Sequence, residues 1–463
     1  MFHPARPLIV ILPLLALAGC DLAPRYQRPA LAAPSSFPQG GAYPALADGA
    51  GGVAAIGWKD FFTDDRLRQL IALALADNRD LRVAAANVLQ ARAQYRAARA
   101  DLLPTITAGG GAAGSGGDRG ATSHSYSADL GVSAFEVDLF GRVRNLAKAA
   151  QDQYFATRQA RDSTHIALIA EIATAWATMA SDQDQLRVSR QTYVSFQQSV
   201  EITRAQFEKG IASELDVRQA QTNLEDARYN VAQLRTQVTQ DQNALNLLAG
   251  ATVPEALLPA ALGTADVTLA ALPAGLDSAV LLKRPDVVGA EDQLKAQNAN
   301  IGAARAAFFP TISLTAAAGS ASSALGGLFG GGGWSWSGSG SVTQTLFDFG
   351  HNRANLHYAE ASRDAAVATY EKAVQTAFRE VSDALAERGT IDEQLAAREA
   401  RATAAAAAAK LSEARYRNGI DSFLTTLDSQ RTLYTAQQSL VTTRLARVTN
   451  LVELYRALGG GLA

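Results

Sequence analysis

The chain has 463 residues, of which 48% are hydrophobic and 19% are charged, and its formal net charge is −2. This near-neutral charge, with no basic run, argues against a nucleic-acid partner. One cysteine and five histidines scattered along the chain cannot build a disulfide framework or a clustered zinc site, so the sequence predicts no metal centre.

The N-terminus carries the pattern of an export signal. Arg6 precedes an apolar run over residues 8–18, which is too short to cross a bilayer and is typical of a signal-peptide core. Small residues stand directly before Cys20, as in a bacterial lipoprotein cleavage site. We therefore expect residues 1–19 to be removed and Cys20 to carry a covalent lipid, since a buried structural cysteine would leave the export pattern unexplained.

The chain repeats itself at long range, which indicates two halves with one plan. Three short motifs each occur twice in the same order: Ala-Ala-Arg-Ala at 97–100 and 303–306, Phe-Gly at 140–141 and 349–350, and Gly-Ile at 210–211 and 419–420.

Each half contains a very long predicted helix. Residues 143–209 and 352–418 number 67 each and lack proline, and Gly389 is their one interior glycine. Such a helix is about 100 Å long, over three times the ~30 Å hydrocarbon core of a bilayer. Gly210 and Gly419 then suit turns into return helices, and the shorter helices predicted at 78–103 and 284–309 would continue them end to end.

Heptad-like seams predict that these helices pack side by side. One seam follows Val217, Ala220, Leu224, Ala227, Val231, Leu234, Val238, Leu245 and Leu248, with Asp241 interrupting in register; the other follows Val367, Tyr370, Val374, Ala377, Val381, Ala384, Ile391 and Leu395, with Arg388 interrupting.

Between the helices the apolar period changes to two, which predicts strands with one apolar and one small, polar face. Around Leu130, Leu314 and Val342, apolar residues alternate with serine, threonine and glycine. A soluble sandwich would explain the alternation equally well, but the export signal and the helix lengths favour a membrane barrel. Four strands cannot close a barrel, because about eight is the minimum, so subunits must share it. Trp334 and Trp336 fit an aromatic girdle at the membrane interface.

Several motifs resemble the TolC-like outer-membrane efflux lipoproteins of the OprM/NodT type, in order and spacing from Cys20 to about Ala457. They are Cys-Asp-Leu-Ala-Pro-Arg-Tyr-Gln-Arg-Pro at 20–29, Trp-Lys-Asp-Phe-Phe at 58–62, Arg-Pro-Asp at 284–286, Arg-Ala-Ala-Phe-Phe-Pro at 305–310 and Phe-Asp-Phe-Gly at 347–350.

The resemblance implies a mainly helical homotrimer with a shared twelve-stranded barrel, a long antiparallel helical tunnel in the periplasm and an equatorial domain. It also implies a periplasmic adaptor docked at the tip turns Gly210 and Gly419, and an inner-membrane transporter of the resistance-nodulation-division class. Asp21 follows the cysteine and would signal inner-membrane retention in enteric bacteria, yet a barrel requires the outer membrane. We therefore expect an outer-membrane protein whose tunnel extends into the periplasm.

The resemblance also supplies candidate gate residues. Counted from Gly419, Leu424 and Asp428 fall where the OprM type places its apolar and acidic constriction. Asp216 and Tyr416 match a hydrogen-bonded pair that locks the gate. Asp421 stands where TolC has a further arginine link, so fewer polar links are expected to hold the closed state.

The expected organisation follows the repeat. It comprises a signal peptide (1–19), a lipidated extended segment (20–62), the helices of the first half (63–103), the first β-hairpin of the barrel (104–142), a long helix with its return (143–249), an equatorial linker (250–283), a helix (284–309), the second β-hairpin of the barrel (310–349), the second long helix with its return (350–458) and a tail (459–463).

The predicted function is that of a passive exit duct in an efflux pump, through which drugs or other small molecules leave for the exterior, with no catalytic residues and no cofactor beyond the lipid. Asp348-Phe349-Gly350 spells a kinase motif, but no phosphate-binding loop accompanies it. Metal-ion efflux and protein secretion remain alternatives within this fold. A non-conducting structural coiled-coil lipoprotein is the alternative from another class.

Overall fold

The computed structural model describes residues 21–44, 56–117, 120, 122–262, 278–330 and 333–462. Cys20 and the predicted signal peptide lie outside the described residues, as does 263–277 of the predicted equatorial linker. The regular elements are α1 (Trp58–Phe61), α2 (Asp65–Asp77), α3 (Arg79–Ala100), β1 (Ile106–Ser115), β2 (Ser123–Glu136), α4 (Arg142–Glu208), α5 (Glu214–Ala249), α6 (Pro285–Ala306), β3 (Thr311–Ser322), β4 (Trp334–Thr343), α7 (His351–Arg417) and α8 (Phe423–Ala457).

These elements form two compact units, each built from separate stretches of chain. Counting only the described residues, unit 1 lies within Met1–Ala30, Asn87–Arg158 and Gly289–Glu371, and unit 2 lies within Leu31–Ala86, Gln159–Val288 and Lys372–Ala463. Helices α4 and α7 have 67 residues each and contribute to both units. No helix of the described residues is both long and apolar enough to cross a membrane.

Unit 1 contains one antiparallel sheet in the order β1-β2-β3-β4. Its register places Ala108, Leu130, Ala318 and Trp336 side by side across the four strands. Because side chains alternate along a strand, that face carries the large apolar residues, and the opposite one carries mainly glycine, serine, threonine and alanine, with Asp129. The alternation predicted around Leu130, Leu314 and Val342 is therefore present in β2, β3 and β4.

A bulge in β2 changes this alternation at one end. The pairing with β3 shifts between Val132 and Phe135, and Ala134 takes the left-handed φ of 52°. Phe135 consequently pairs with Leu314, whereas the simple period would have placed Ala134 on the apolar face.

The helices of unit 2 bury most of the predicted seam positions, with one shift. Val217, Ala220 and Ala227 are buried, but between them Asn223 is only 4% exposed while Leu224 is partly buried. A pattern based on hydrophobicity selects Leu224 for the seam and therefore does not predict that Asn223 is the buried residue.

The two return helices end in equivalent junctions inside unit 2. The Asn78 amide donates to the Leu248 carbonyl at the end of α5 (2.8 Å), and the Arg284 guanidinium donates to the Ala457 carbonyl at the end of α8 (2.6 Å). Each residue directly precedes the next helix, α3 or α6. Both therefore satisfy helix-end carbonyls that would otherwise lack a partner.

The N-terminal stretch of unit 2 packs against helices rather than being extended throughout. The predicted extended segment 20–62 contains α1, whose Phe61 stacks on Tyr455 with ring centroids 4.0 Å apart. Phe37 stacks on Phe378 of α7 at 5.1 Å. Gly389 of α7 has no room for a side chain because the backbone of residues 42–44 lies against it.

Candidate channel gate

Two glycine turns join the helices into two hairpins at the candidate gate. We call α4 with α5 the first hairpin and α7 with α8 the second hairpin. Gly210 and Gly419 adopt φ values of +72° and +70°, directly after the long helices end. That left-handed conformation favours glycine and ends a helix, which is why the sequence pattern locates both turns.

The start of α8 has one buried and one exposed side. Phe423 and Leu427 are each 3% exposed and belong to a core cluster with Phe196, Val200, Ala220, Ala227 and Tyr416. Leu424 is 61% exposed, and Asp428, one turn later, is also exposed. Residues four apart share a helix face, so Leu424 and Asp428 point the same way, outside the subunit core.

The Asp428 carboxylate forms no ion pair or hydrogen bond with any other described residue. The carboxylate is therefore free to interact with an ion or a neighbouring molecule at this exposed face of α8. Thr425, which precedes Asp428 on the same helix, places its hydroxyl 3.2 Å from that of Ser422.

The expected hydrogen bond between Asp216 and Tyr416 is not formed, which corrects the prediction from the resemblance. The Asp216 carboxylate accepts from the Ser213 amide (2.9 Å) and hydroxyl (2.7 Å), and Ser213 caps α5 in return. The Tyr416 hydroxyl lies 3.2 Å from Thr203 Oγ1. Burial raises the pKa of Tyr416, and the charge of Asp216 acts in the same direction.

The reason for the difference is local. Ser-x-x-Asp at a helix start is a capping pattern, and the side chain of the fourth residue returns to the backbone of the first. The sequence contains this signal at 213–216, where it competes with the gate assignment. Tyr416 still contacts the first hairpin, but through Thr203.

Asp421 also has a partner. It accepts from Arg415 Nε (2.7 Å) and Nη2 (2.8 Å), and this bidentate contact lowers the pKa of the Asp421 carboxyl. Both residues belong to the second hairpin, and the pair lies at the surface. It therefore shapes the turn around Gly419 and does not join the two hairpins.

Three further polar contacts do join the hairpins, and none was predicted from the sequence. Arg431 donates to Asn223, Gln430 donates to Ser199 (3.1 Å), and the hydroxyls of Ser189 and Tyr434 lie 2.8 Å apart. Polar residues at seam positions are the signal that could have indicated them, since such residues seldom lie in a seam without a partner.

The candidate girdle residues belong to the sheet of unit 1. Trp334 and Trp336 are 70% and 73% exposed on the apolar face. Val342 lies on the same face, whereas Ser341 points to the opposite face and its hydroxyl is 2.7 Å from that of Ser313. The sheet thus presents a wide apolar surface with no covering element among the described residues of its unit.

The fold and these surfaces match known proteins. The family model described as outer membrane efflux protein matches residues 70–251 and 276–460, which correspond to the two halves of the repeat. The chain belongs to the outer membrane efflux protein family. It is an outer-membrane component of an efflux system, with the fold of the trimeric TolC-like channels.

Individual relatives are similar over nearly their whole length. The probable efflux pump outer membrane protein TtgC of Pseudomonas putida is 47% identical, covering 96% of this chain and 93% of that protein. The cation efflux system protein CusC of Escherichia coli is 38% identical, covering 96% and 97%. The open-state crystal structure of the MtrE outer membrane channel of Neisseria gonorrhoeae superposes with a TM-score of 0.87 at 37% identity, covering 96% and 99%.

Proposed function

We propose that three copies of this chain form a passive exit duct for small organic molecules. The observation that carries the proposal is the sheet, on which the large apolar side chains lie on one face while serine and threonine predominate on the other. A wall with an apolar outer face and a small, polar inner face suits a water-filled channel through a membrane.

The sheet also explains why several copies are needed. β1 and β4 are its terminal strands, so each leaves one edge without a neighbouring strand in the sheet. Exposed strand edges pair with other strands unless they are protected, and about eight strands are needed to close a barrel. Pairing β1 of one copy with β4 of the next closes a ring, and three copies supply twelve strands.

The remaining parts of the proposed assembly follow the family resemblance. A lipid on Cys20 would anchor each subunit beside the barrel. A periplasmic adaptor would dock at the turns around Gly210 and Gly419, and an inner-membrane transporter of the resistance-nodulation-division class would supply the energy. The duct itself then needs no catalytic group and no cofactor.

The proposed constriction is built by Leu424 and Asp428. Both are exposed on one face of α8, away from the core cluster that contains Phe423 and Leu427. Brought together from three subunits, the leucines would narrow the passage and the carboxylates would favour cations.

For the cargo we propose small organic molecules. The 47% identical relative TtgC is named as an efflux pump protein, and TtgC of another Pseudomonas putida strain, also 47% identical, is named as part of a toluene efflux pump. Metal cations are the second candidate, since CusC is named for cation efflux and is 38% identical.

Complementation tests this proposal. The full chain should restore toluene and antibiotic tolerance to a strain that lacks its related outer-membrane component but keeps the adaptor and transporter. Restored tolerance to metal cations alone would favour the cation alternative. Failure to restore any tolerance, despite outer-membrane insertion, would contradict the proposal.

A further inference from the structure

One polar contact between the two hairpins differs from the others in its charge. Nε and Nη2 of Arg431 on α8 both donate to the Oδ1 atom of Asn223 on α5, at 2.9 Å and 2.6 Å. Asn223 is 4% exposed, and Arg431 is exposed. A cationic side chain from the second hairpin therefore ends on a buried amide of the first.

Both ends of the Asn223 side-chain amide have hydrogen-bond partners. Its Nδ2 atom donates to the Gln219 carbonyl of its own helix at 2.6 Å, which turns Oδ1 towards α8. A hydrogen bond with a charged partner is stronger than a neutral one. The Arg431 contact is thus stronger than the neutral contact between Tyr416 and Thr203.

Arg431 has another possible partner on its own helix. Asp428 lies three residues before it, a spacing at which a carboxylate and a guanidinium on a helix can pair. The structure instead directs the guanidinium to Asn223, and Asp428 forms no ion pair with any described residue. Asn223 therefore holds a positive charge away from the constriction.

We propose that Asn223 positions Arg431 in two respects: it ties the two hairpins together in the closed gate, and it keeps Asp428 unpaired, so that the constriction stays cation-selective. This inference rests on the proposed function. In this proposal the gate opens when α8 moves away from α5, and the contact between Arg431 and Asn223 opposes that movement.

The chain offers a matched control on the same helix. Arg444 of α8 donates to Glu399 of α7 at 3.1 Å, within the second hairpin. Removing it also deletes an arginine and an inter-helix contact, but leaves the contacts between the hairpins intact. Arg444→Ala should therefore conduct like the unchanged chain.

The experiment is single-channel recording of the full-length chain in planar bilayers, for the unchanged chain, Asn223→Ala, Arg431→Ala, the double variant, Arg431→Lys and Arg444→Ala. Circular dichroism and trimer size in detergent confirm that each variant folds. Asn223→Ala and Arg431→Ala should each raise the open-to-closed ratio roughly tenfold or more, the range for loss of a hydrogen bond to a charged group. The double variant should show no larger effect than either single one, and Arg431→Lys should be intermediate.

Ion selectivity separates the two single variants. In Asn223→Ala the released Arg431 can pair with Asp428, so the cation preference should fall. In Arg431→Ala and in the double variant no cation is released, so the preference should persist. A general loosening of the helices would not produce this split.

The proposal is overturned if both single variants behave like Arg444→Ala, if their effects on the open-to-closed ratio add, or if Asn223→Ala keeps the full cation preference. These results differ from failure of the proposed function, in which the unchanged chain itself would show no channel events.

Discussion

Asp216 shows how one carboxylate can satisfy two sequence patterns and serve only one. The family resemblance predicts that Asp216 pairs with Tyr416, but Ser213 lies three residues before Asp216 and completes a capping box with it. The cap forms between neighbours in sequence, so little chain entropy opposes it. A hydrogen bond to Tyr416 would instead join two hairpins that are far apart in sequence, so a larger loss of chain entropy opposes it.

Tyr416→Phe and Asp216→Ala should therefore have different effects. Loss of the Tyr416 hydroxyl removes the contact with Thr203 and should favour the open gate by about 1 kcal/mol. We expect higher conductance and greater vancomycin sensitivity of the host. Asp216→Ala should mainly destabilise the first turn of α5, by about 1 kcal/mol.

Vancomycin susceptibility and single-channel conductance measure the first effect, and hydrogen exchange of the first turn of α5 measures the second. Thr203→Val is the matched control and should reproduce Tyr416→Phe. If Asp216→Ala opened the channel as strongly as Tyr416→Phe, the direct pair predicted from the resemblance would be restored.

Some residue positions could be predicted from sequence and others could not. Leu424 and Asp428 share a face because they lie four residues apart, which needs no tertiary information. Asn223 could not be identified in this way, because its burial depends on the approach of Arg431 from a helix more than 200 residues away. A pattern based on hydrophobicity selects Leu224 next to it.

At the scale of elements, period two locates the strands and their faces. This period does not predict the bulge between Val132 and Phe135. The bulge is an extra residue in β2 relative to β3, so it can be recognised only when the pairing of the two strands is known. The apolar face therefore continues through Phe135, on the other side of the bulge.

The two faces of β4 can be tested with one substitution at adjacent positions. Val342→Arg would bring a charge into contact with lipid, at a cost of up to about 2–4 kcal/mol depending on depth. Ser341→Arg would place the same side chain on the polar face. We expect Val342→Arg to reduce the amount of assembled trimer in outer-membrane fractions far more than Ser341→Arg, and equal tolerance would contradict the assignment of the faces.

A carboxyl pair between α4 and α5 makes the first hairpin sensitive to pH. Burial and the neighbouring Asp241 raise the pKa of Asp182 from 3.8 to about 6. Gln237 donates to Asp241 at 3.0 Å, and Gln185 lies 3.4 Å from Asp182. Asp241 is the residue that interrupts the predicted seam, and its charge is one cause of the raised pKa of Asp182.

Because the folded pKa of Asp182 exceeds the unfolded value, the folded state binds the proton more tightly, and stability should fall as pH rises through about 6. Thermal melting of the purified chain between about pH 4.5 and pH 7 measures this. Asp182→Asn should remove that part of the decline while leaving contributions from other groups. An identical pH dependence in both proteins would contradict the assignment.

At the scale of the whole molecule, the repeat determines much of the architecture. Both halves contain a shorter helix, a hairpin of strands, a long helix and a return helix, as the repeated motifs predict. The junctions differ in chemistry: Asn78 is neutral, whereas Arg284 also pairs with Asp286 (2.7 Å) and Glu380 (2.8 Å). Repeated motifs predict that two junctions are equivalent, but the partners of Arg284 come from separate parts of the chain.

We propose that this chain conducts through a pore narrowed by Leu424 and Asp428, and single-channel recording of the purified full-length chain tests this proposal. We expect small, cation-selective steps for the unchanged chain. Asp428→Ala should weaken the cation preference, and Leu424→Ala should raise the conductance, because one removes charge and the other removes apolar bulk. Absence of channel events, or steps whose size and selectivity are the same in all three proteins, would contradict the account.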